Sequence, residues 1–178
     1  MPSLQRRIVP STKNSGINVK RFLLAIVSMG RFGGGSTITQ QLAKNAFLTQ
    51  EQTVTRKAKE FFLSLELTKK YSKQEILTMY LNNAYFGNGV WGVEDASQKY
   101  FGTSAANLTV DEAATLAGML KGPEIYNPID NIQNATNRRN TVLANMVDDE
   151  KLSQADADSA AGVDMASRCL LYTSPSPR

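Results

Sequence analysis

The sequence predicts an all-α fold, and three observations predict it. Apolar residues recur at three- and four-residue steps, as in Ala58, Phe61 and Leu65, which is the period of one helix face. Helix-start signals of the form Ser/Thr-x-x-Glu/Gln occur several times along the chain. No segment shows the sustained alternation of apolar and polar residues that marks strands, and no internal repeat is visible. We therefore expect helices joined by loops.

Four helices are predicted in the first half of the chain, each from a start or a periodic pattern. Capping residues at Asn18, Thr37 and Ser72 mark three of the starts, and two of these belong to capping boxes. The apolar period defines the third helix, whose last two residues are lysines that suit its negative end. The predicted ranges are 19–29, 38–47, 53–70 and 72–81, with 82–89 as a turn.

Further helices are predicted in the second half. One covers 91–100 and stops at Gly102, and another begins after a capping box of Thr109 and Glu112 and ends at Gly122. The segment GPEIYNP that follows has proline near both ends and is predicted to be an ordered loop. The last two helices are predicted over 132–147 and after Ser153.

Composition limits the classes of function. The chain has 178 residues with 42% hydrophobic content, enough for one domain with a core. Its net charge of +4 and pI near 9.2 suit a phosphate-bearing ligand or an anionic membrane face. No basic run interleaved with aromatic residues is present, so no nucleic acid is expected as a partner. With no histidine and only Cys169, histidine triads, histidine metal sites and an intrachain disulfide are excluded.

The longest apolar run, FLLAIVSM at 22–29, has eight residues, against the roughly twenty that a membrane span requires. We therefore predict no span. The cluster of apolar residues over 22–32 leaves two interpretations open. It forms either an exposed patch that dips into a bilayer or a buried core helix.

The stretch GGGSTITQQLAKN, at 33–45, is the most distinctive in the chain. Glycines around Gly34 allow a close backbone approach to a ligand, and Ser36 and Thr37 are cap residues at a positive helix end. On the helix that follows, Lys44 lies three or four residues from two glutamines, Gln40 and Gln41. The stretch is either an anion-binding site or an ordinary capped helix after a flexible loop.

Two further sets of charged residues permit two interpretations each. Arg56, Lys57 and Glu60 share one helix stripe, which is either a solvated face or a site where Lys57 holds phosphate oxygens while Glu60 manages a proton or a metal. Arg138 and Arg139 are adjacent, so one can point into a cleft while the other does not. For Arg138, a structural ion pair and a phosphate contact are both open.

Four strings in order, GGGSTITQQLAKN, RKAKE, KQEILTMYLNN and RRNTVL, resemble the second to fifth signature motifs of the family 51 glycosyltransferases, the peptidoglycan polymerases. The resemblance covers about residues 14–147, and intervening stretches such as AGMLKGPEIYNP also look like those of class A penicillin-binding proteins of Gram-positive bacteria. It implies an all-α, lysozyme-like domain with a small membrane-associated jaw, which the cluster at 22–32 would form. It also implies polymerisation of lipid II into β-1,4 glycan strands, with inversion and release of undecaprenyl pyrophosphate.

The resemblance assigns roles to individual residues. Glu60 becomes the second catalytic carboxylate and the expected ligand of a divalent cation, Mg²⁺ or Mn²⁺. The expected partners are lipid II, the growing lipid-linked glycan, the membrane surface and cell-wall synthesis proteins, at the extracellular face of the cell membrane. The expected substrate-binding residues are Gly34, Ser36, Thr37, Gln40, Gln41, Lys44, Arg56, Lys57 and Arg138.

The family's first motif is where this sequence departs from the pattern. Its glutamate, the general base, aligns with Arg7, and only KNSG at 13–16 resembles the end of that motif. We therefore expect a divergent leader at 1–13 from a truncated or misread start, a partial glycosyltransferase domain at 14–165, and a non-native tail at 166–178. An impaired enzyme is expected. The alternatives are a non-catalytic lipid-pyrophosphate binding module and a lysozyme-like hydrolase, which is disfavoured because a glycosidase needs two flanking carboxylates.

Overall fold

The computed structural model describes residues 38–47 and 54–169, and the structural findings below concern these ranges. They form eight α-helices and one short 3₁₀ turn at Ala105–Asn107. The helices are α1 (Ile38–Phe47), α2 (Val54–Lys70), α3 (Lys73–Asn83), α4 (Val93–Phe101), α5 (Val110–Met119), α6 (Ile132–Asp148), α7 (Gln154–Ala161) and α8 (Met165–Arg168).

The prediction of an all-α fold is confirmed for this part of the chain. It contains no strand, and the one β-bridge found in it joins Tyr85 to Trp91. None of its helices is both long and apolar enough to cross a bilayer. The helix predicted at 19–29, and with it the membrane-associated jaw at 22–32, lies outside the described residues and stays a prediction.

Helix ends follow the predicted capping chemistry. At the start of α3, Ser72 Oγ accepts from the Glu75 amide at 3.3 Å, and the Glu75 carboxylate accepts from the Ser72 amide at 2.8 Å. Two hydrogen bonds to the Glu75 carboxylate lower the pKa of Glu75, first that from the Ser72 backbone amide and then that from the Ser72 hydroxyl at 2.8 Å. The box of Thr109 and Glu112 is also present. The box predicted at Thr37 lies outside the described residues.

Two boundaries differ from the prediction. Helix α3 continues to Asn83, where a turn was expected from residue 82, because the Asn83 side chain donates to the Met79 carbonyl at 2.8 Å and satisfies a helix-end acceptor. The tail expected to lose helical character from residue 166 instead begins within α8. Asp164 caps this short helix by accepting from the Ala166 amide.

The described residues fall into two units, which we treat separately. The first comprises α1, α2 and α3, with α1 packed against both other helices. Its core consists of side chains from all three helices, which exclude water because their apolar faces are turned inward. These buried side chains are Leu42, Ala43, Leu67, Ile76, Leu77, Met79, Tyr80 and Leu81.

The second unit covers residues 85–169 and is built around α5 and α6. Small side chains such as Ala113, Ala114 and Ala117 are fully buried on α5 and let α6 approach closely. The first loop of this unit is held by a buried hydrogen bond, because the Tyr100 hydroxyl donates to the Phe86 carbonyl at 2.8 Å. Gly87 has a φ of +80°, and a Cβ there would lie 3.0 Å from the Pro123 carbonyl oxygen.

Arg139 on α6 binds the end of α7 and the segment that follows it, near the end of this unit. Its side chain is only 1% exposed, and its two terminal nitrogens donate to the carbonyls of Ala161 at 2.7 Å and Val163 at 2.8 Å. Burial lowers the pKa of this guanidinium, while Asp111 and Asp164 oppose the shift. Of the adjacent arginines, Arg139 is therefore the structural one.

We predict that Arg139→Lys destabilises the chain, because one ammonium cannot reach both carbonyls in the fork geometry of the guanidinium. Each buried carbonyl left without a donor costs about 1–3 kcal/mol. Urea unfolding followed by circular dichroism measures the loss. Arg168→Lys is the control, since Arg168 is partly exposed and lies 3.5 Å from Asp111; an equal loss in both variants would contradict the role given to Arg139.

Candidate functional site

A buried carboxylate lies at the centre of the candidate site in the first unit. Glu60 on α2 is 3% exposed, and its two oxygens face two cations of the same helix. Arg56 Nε lies 3.1 Å from Oε1, and Lys57 Nζ donates to Oε2 at 2.9 Å. The expectation that this stripe is a solvated face is therefore wrong for Glu60 and Arg56. Spacing placed the three together, but burial depends on how α2 packs.

The two cations differ in how they meet solvent. The Arg56 side chain is largely buried, whereas that of Lys57 is 60% exposed. A buried carboxylate needs nearby positive charge to offset its desolvation, which Arg56 supplies from within the protein. The Lys57 side chain contacts Glu60 and also extends into solvent, where its ammonium can approach an anionic ligand.

The opposite side of α2 is unusual for a solvent-facing surface. Phe61 and Phe62 are 50% and 66% exposed, and Leu65 is also exposed. Glu66 lies on this outer side and pairs with Lys69 at 3.6 Å, both side chains being well exposed. Glu66 therefore does not share the buried face of Glu60. Helix α2 thus turns Glu60 and Arg56 inward and two phenyl rings outward, while Lys57 extends into solvent.

Helix α1 supplies the remaining described residues of the distinctive stretch. Leu42 and Ala43 are buried, whereas Gln40 and Gln41 are half-buried and Lys44 is exposed. Gln41 and Lys44 are three positions apart, about 60° around the helix. The Gln41 side-chain oxygen accepts from the hydroxyl of Tyr80 on α3 at 3.3 Å. Gly34, Ser36 and Thr37 lie outside the described residues, so their role stays a prediction.

The candidate residues of the first unit carry three cations, Lys44, Arg56 and Lys57, against the single carboxylate of Glu60. This excess of positive charge favours an anionic ligand over a neutral one. A phosphate group suits such a set, because ammonium and guanidinium groups form charge-assisted hydrogen bonds to its oxygens.

Comparison with known proteins was made for the whole chain. The family model described as Transglycosylase matches residues 11–147. The chain belongs to the transglycosylase family. Penicillin-binding protein 2a of Streptococcus pneumoniae is 69% identical over 88% of the chain and 21% of its own length. Penicillin-binding protein 1A of Vibrio cholerae is 45% identical over 81% of the chain and 18% of its own length.

Among solved structures, that of Penicillin-Binding Protein 1A from Haemophilus influenzae aligns with 70% of the chain and 16% of its own chain, at 31% identity and a TM-score of 0.47. The transglycosylase chain thus spans about a fifth of the length of the curated relatives it matches. The expected membership of the glycosyltransferase family is confirmed, together with the resemblance to penicillin-binding proteins of Gram-positive bacteria.

Arg138 of the transglycosylase chain lies in the second unit and is described there by itself. Its guanidinium carbon stands 5.7 Å from the centre of the Tyr126 ring, a cation–π distance. Its stem packs on α5 at Gly118, where a Cβ would come within 2.9 Å of Arg138 Cγ. Burial lowers the pKa of Arg138, and Tyr126 opposes the shift. Arg138 is thus held by an aromatic ring and a glycine, and its role as a phosphate contact stays a prediction.

The charges around Glu60 determine whether a divalent cation fits there. Its carboxylate faces two cations, and no group of three potential metal-ligating side chains occurs among the described residues. Mg²⁺ takes several oxygen ligands and repels ammonium and guanidinium groups. As arranged, Glu60 does not fit as the main holder of such an ion. The divalent cation stays a prediction, and no step below depends on it.

Two residues of the site were missed by sequence reasoning. Tyr80 lies among apolar residues of the KQEILTMYLNN string and is buried, but its hydroxyl also contacts Gln41. Its position in an apolar stripe gave no sign of that contact, although a buried tyrosine usually finds a partner for its hydroxyl. Gly118 supports Arg138. The available signal for Gly118 was its position within an alanine-rich helix, because glycine lowers helix stability relative to alanine.

We predict that Glu60→Gln destabilises the chain by roughly 3 kcal/mol, because it leaves the buried guanidinium of Arg56 without its counter-charge. Lys57 adds little to this value, since its side chain is mostly exposed. Thermal unfolding measures the change. Glu66→Gln on the outer side of α2 is the matched control and is expected to change stability by less than about 1 kcal/mol. Equal losses of stability in the two variants would show that the buried Arg56 does not depend on the negative charge of Glu60.

We predict that Gly118→Ala also destabilises the chain. Alanine favours a helix by about 1 kcal/mol over glycine, but overpacking typically costs about 1–3 kcal/mol, and the added methyl meets the Arg138 stem at 2.9 Å. Gly162→Ala is the control, because the nearest atoms to its added Cβ are 3.4 Å away, so that variant is expected to be neutral or slightly stabilised. A stabilised Gly118→Ala variant would mean that Arg138 moves without penalty.

Proposed function

We propose that this chain carries part of the glycosyltransferase domain with which a parent protein polymerises lipid II into β-1,4 glycan strands. The observation that carries the proposal is the triad of Glu60, Arg56 and Lys57 on α2, in a chain of the transglycosylase family. A cation-rich site suits a reaction whose leaving group is a pyrophosphate. A hydrolase that cleaves neutral glycans has no such requirement.

The proposed chemistry is an inverting displacement at the anomeric carbon of the donor, the growing lipid-linked glycan. The sugar hydroxyl of lipid II attacks that carbon and loses its proton to a base, while the bond from the carbon to the pyrophosphate oxygen breaks. Undecaprenyl pyrophosphate leaves with the bonding electrons. Lys44 and Lys57, with the glycine and glutamine residues of the distinctive stretch, bind the charge that develops on the pyrophosphate.

Glu60 is proposed to serve this reaction as the second carboxylate. Its two oxygens are directed at Arg56 and Lys57, so its proposed contribution is to hold these cations in fixed positions as charge develops. Preorganised charges stabilise a transition state better than mobile ones, because they need no reorganisation during the reaction. Arg138, which lies in the second unit, is proposed to contact a phosphate of the substrate.

The chain itself is proposed to be impaired. Arg7 stands where the family's first motif has its glutamate, and general-base catalysis contributes about 10²–10⁴ in rate. Retention of the anion-binding residues without the base favours the alternative function for this particular polypeptide, a non-catalytic lipid-pyrophosphate binding module. The donor pyrophosphate would still bind, but transfer would not follow at a useful rate.

The remaining partners are proposals of the same kind. The lipid substrates require a membrane surface, which for a cell-wall polymerase is the extracellular face of the cell membrane, and cell-wall synthesis proteins would act beside it. A Mg²⁺ or Mn²⁺ ion would be held chiefly by substrate phosphate oxygens and water.

We predict that the purified chain, incubated with radiolabelled lipid II in detergent, forms no glycan polymer but binds undecaprenyl pyrophosphate. Polymer, released undecaprenyl pyrophosphate and cleaved sugar are separated by chromatography. Processive polymer would contradict the impairment, cleaved sugar would favour a hydrolase, and absence of lipid binding would contradict the proposed site.

Matched lysine variants test whether the triad binds the pyrophosphate. Lys57→Ala is expected to weaken binding by about tenfold, since a hydrogen bond to a charged group contributes about 1.5–3 kcal/mol. Lys59→Ala removes an exposed lysine from the same helix and is expected to leave affinity unchanged. Equal losses would indicate attraction by overall charge instead of a defined contact.

A further inference from the structure

One hydrogen bond connects α3 to the distinctive stretch on α1. Tyr80 is 4% exposed, and its hydroxyl donates to Oε1 of the half-buried Gln41 at 3.3 Å. The two residues are 39 positions apart in the sequence. The bond therefore depends on the packing of α1 against α3 and not on local helix geometry.

The direction of this bond determines what Gln41 can offer a ligand. A glutamine amide has one oxygen that accepts and one nitrogen that carries two donors. When Tyr80 holds the oxygen toward α3, the nitrogen lies on the other side of the amide group. Gln41 then presents donors, the groups that a phosphate oxygen requires.

Tyr80 keeps the role of donor over a wide range of pH. Burial raises its pKa to about 12, so the hydroxyl remains protonated at any pH at which the protein is expected to work. The protonated hydroxyl donates to the Gln41 amide oxygen, and this hydrogen bond stabilises the amide orientation found in the structure.

We infer that Tyr80 is a positioning residue that fixes the Gln41 amide so that its nitrogen donates to the pyrophosphate of the bound lipid. This inference rests on the proposed function, which makes Gln41 a pyrophosphate contact. Tyr80 itself is buried beneath Gln41 and acts on the ligand through that side chain alone.

A second buried tyrosine in the chain shows what a merely structural hydroxyl does. Tyr100 donates to the Phe86 carbonyl at 2.8 Å, and a backbone carbonyl is already fixed by its own chain. Tyr80 instead holds a side chain with three rotatable bonds, whose ordering carries an entropy cost. Removal of each hydroxyl should therefore affect stability in both cases but ligand affinity only at Tyr80.

The test compares Tyr80→Phe in the native sequence and in a Gln41→Ala background. The measurement is the dissociation constant of undecaprenyl pyrophosphate in detergent micelles, below the unfolding temperature of every variant. In the native sequence, Tyr80→Phe is expected to weaken binding by about fivefold, the loss of one neutral hydrogen bond. In the Gln41→Ala background it is expected to have no further effect. Equal losses in both backgrounds, or no loss in the native one, would overturn the inference.

Tyr100→Phe is the matched control, because it also removes a buried tyrosine hydroxyl bond and is expected to lower the unfolding temperature without changing affinity. Nuclear magnetic resonance of the Gln41 side-chain amide gives a second readout, since its two proton signals should shift in Tyr80→Phe and not in Tyr100→Phe. If the native chain bound no pyrophosphate lipid, the proposed function would fail together with the inference. If it bound normally and only the Tyr80 effect were missing, the inference alone would fail.

Discussion

The first unit depends on the burial of one negative charge. A carboxylate removed from water is strongly disfavoured unless positive charge and hydrogen bonds compensate for it, and Glu60 obtains both from the turn that precedes it on α2. The requirement constrains the orientation of the helix, because the face that holds Glu60 and Arg56 must point inward. The outward position of Phe61 and Phe62 follows from the same rotation, so two features that look unrelated in the sequence have one cause.

The adjacent arginines of α6 illustrate how a helix separates neighbours. Successive residues differ by about 100° around the axis, and one side chain enters the protein while the next lies along its surface. Arg139 is committed to two backbone carbonyls. Arg138 lies over the face of the Tyr126 ring, and its stem packs in the space above Gly118.

Much of the fold follows from local chemistry, and for that reason the sequence was sufficient to predict it. The boxes at Ser72 and Thr109 and the left-handed stop at Gly102 depend on a few consecutive residues. The extension of α3 to Asn83 required knowledge of a side-chain bond back to Met79. The site was predictable in its residue types but not in its burial. Spacing brought Arg56, Lys57 and Glu60 together, whereas the exclusion of water from Glu60, and the bond from Tyr80 to Gln41, arise from packing between helices distant in the chain.

The two carbonyls that receive Arg139 have a consequence for where this polypeptide can be divided. The family match ends at residue 147, yet the acceptors lie at Ala161 and Val163. A chain cut at residue 147, where the family match ends, would leave the buried Arg139 guanidinium without these two acceptors, so the folding unit extends beyond that match. The residues after α6 are therefore needed for the stability of the second unit, because they supply the carbonyl acceptors for Arg139 of the RRNTVL motif.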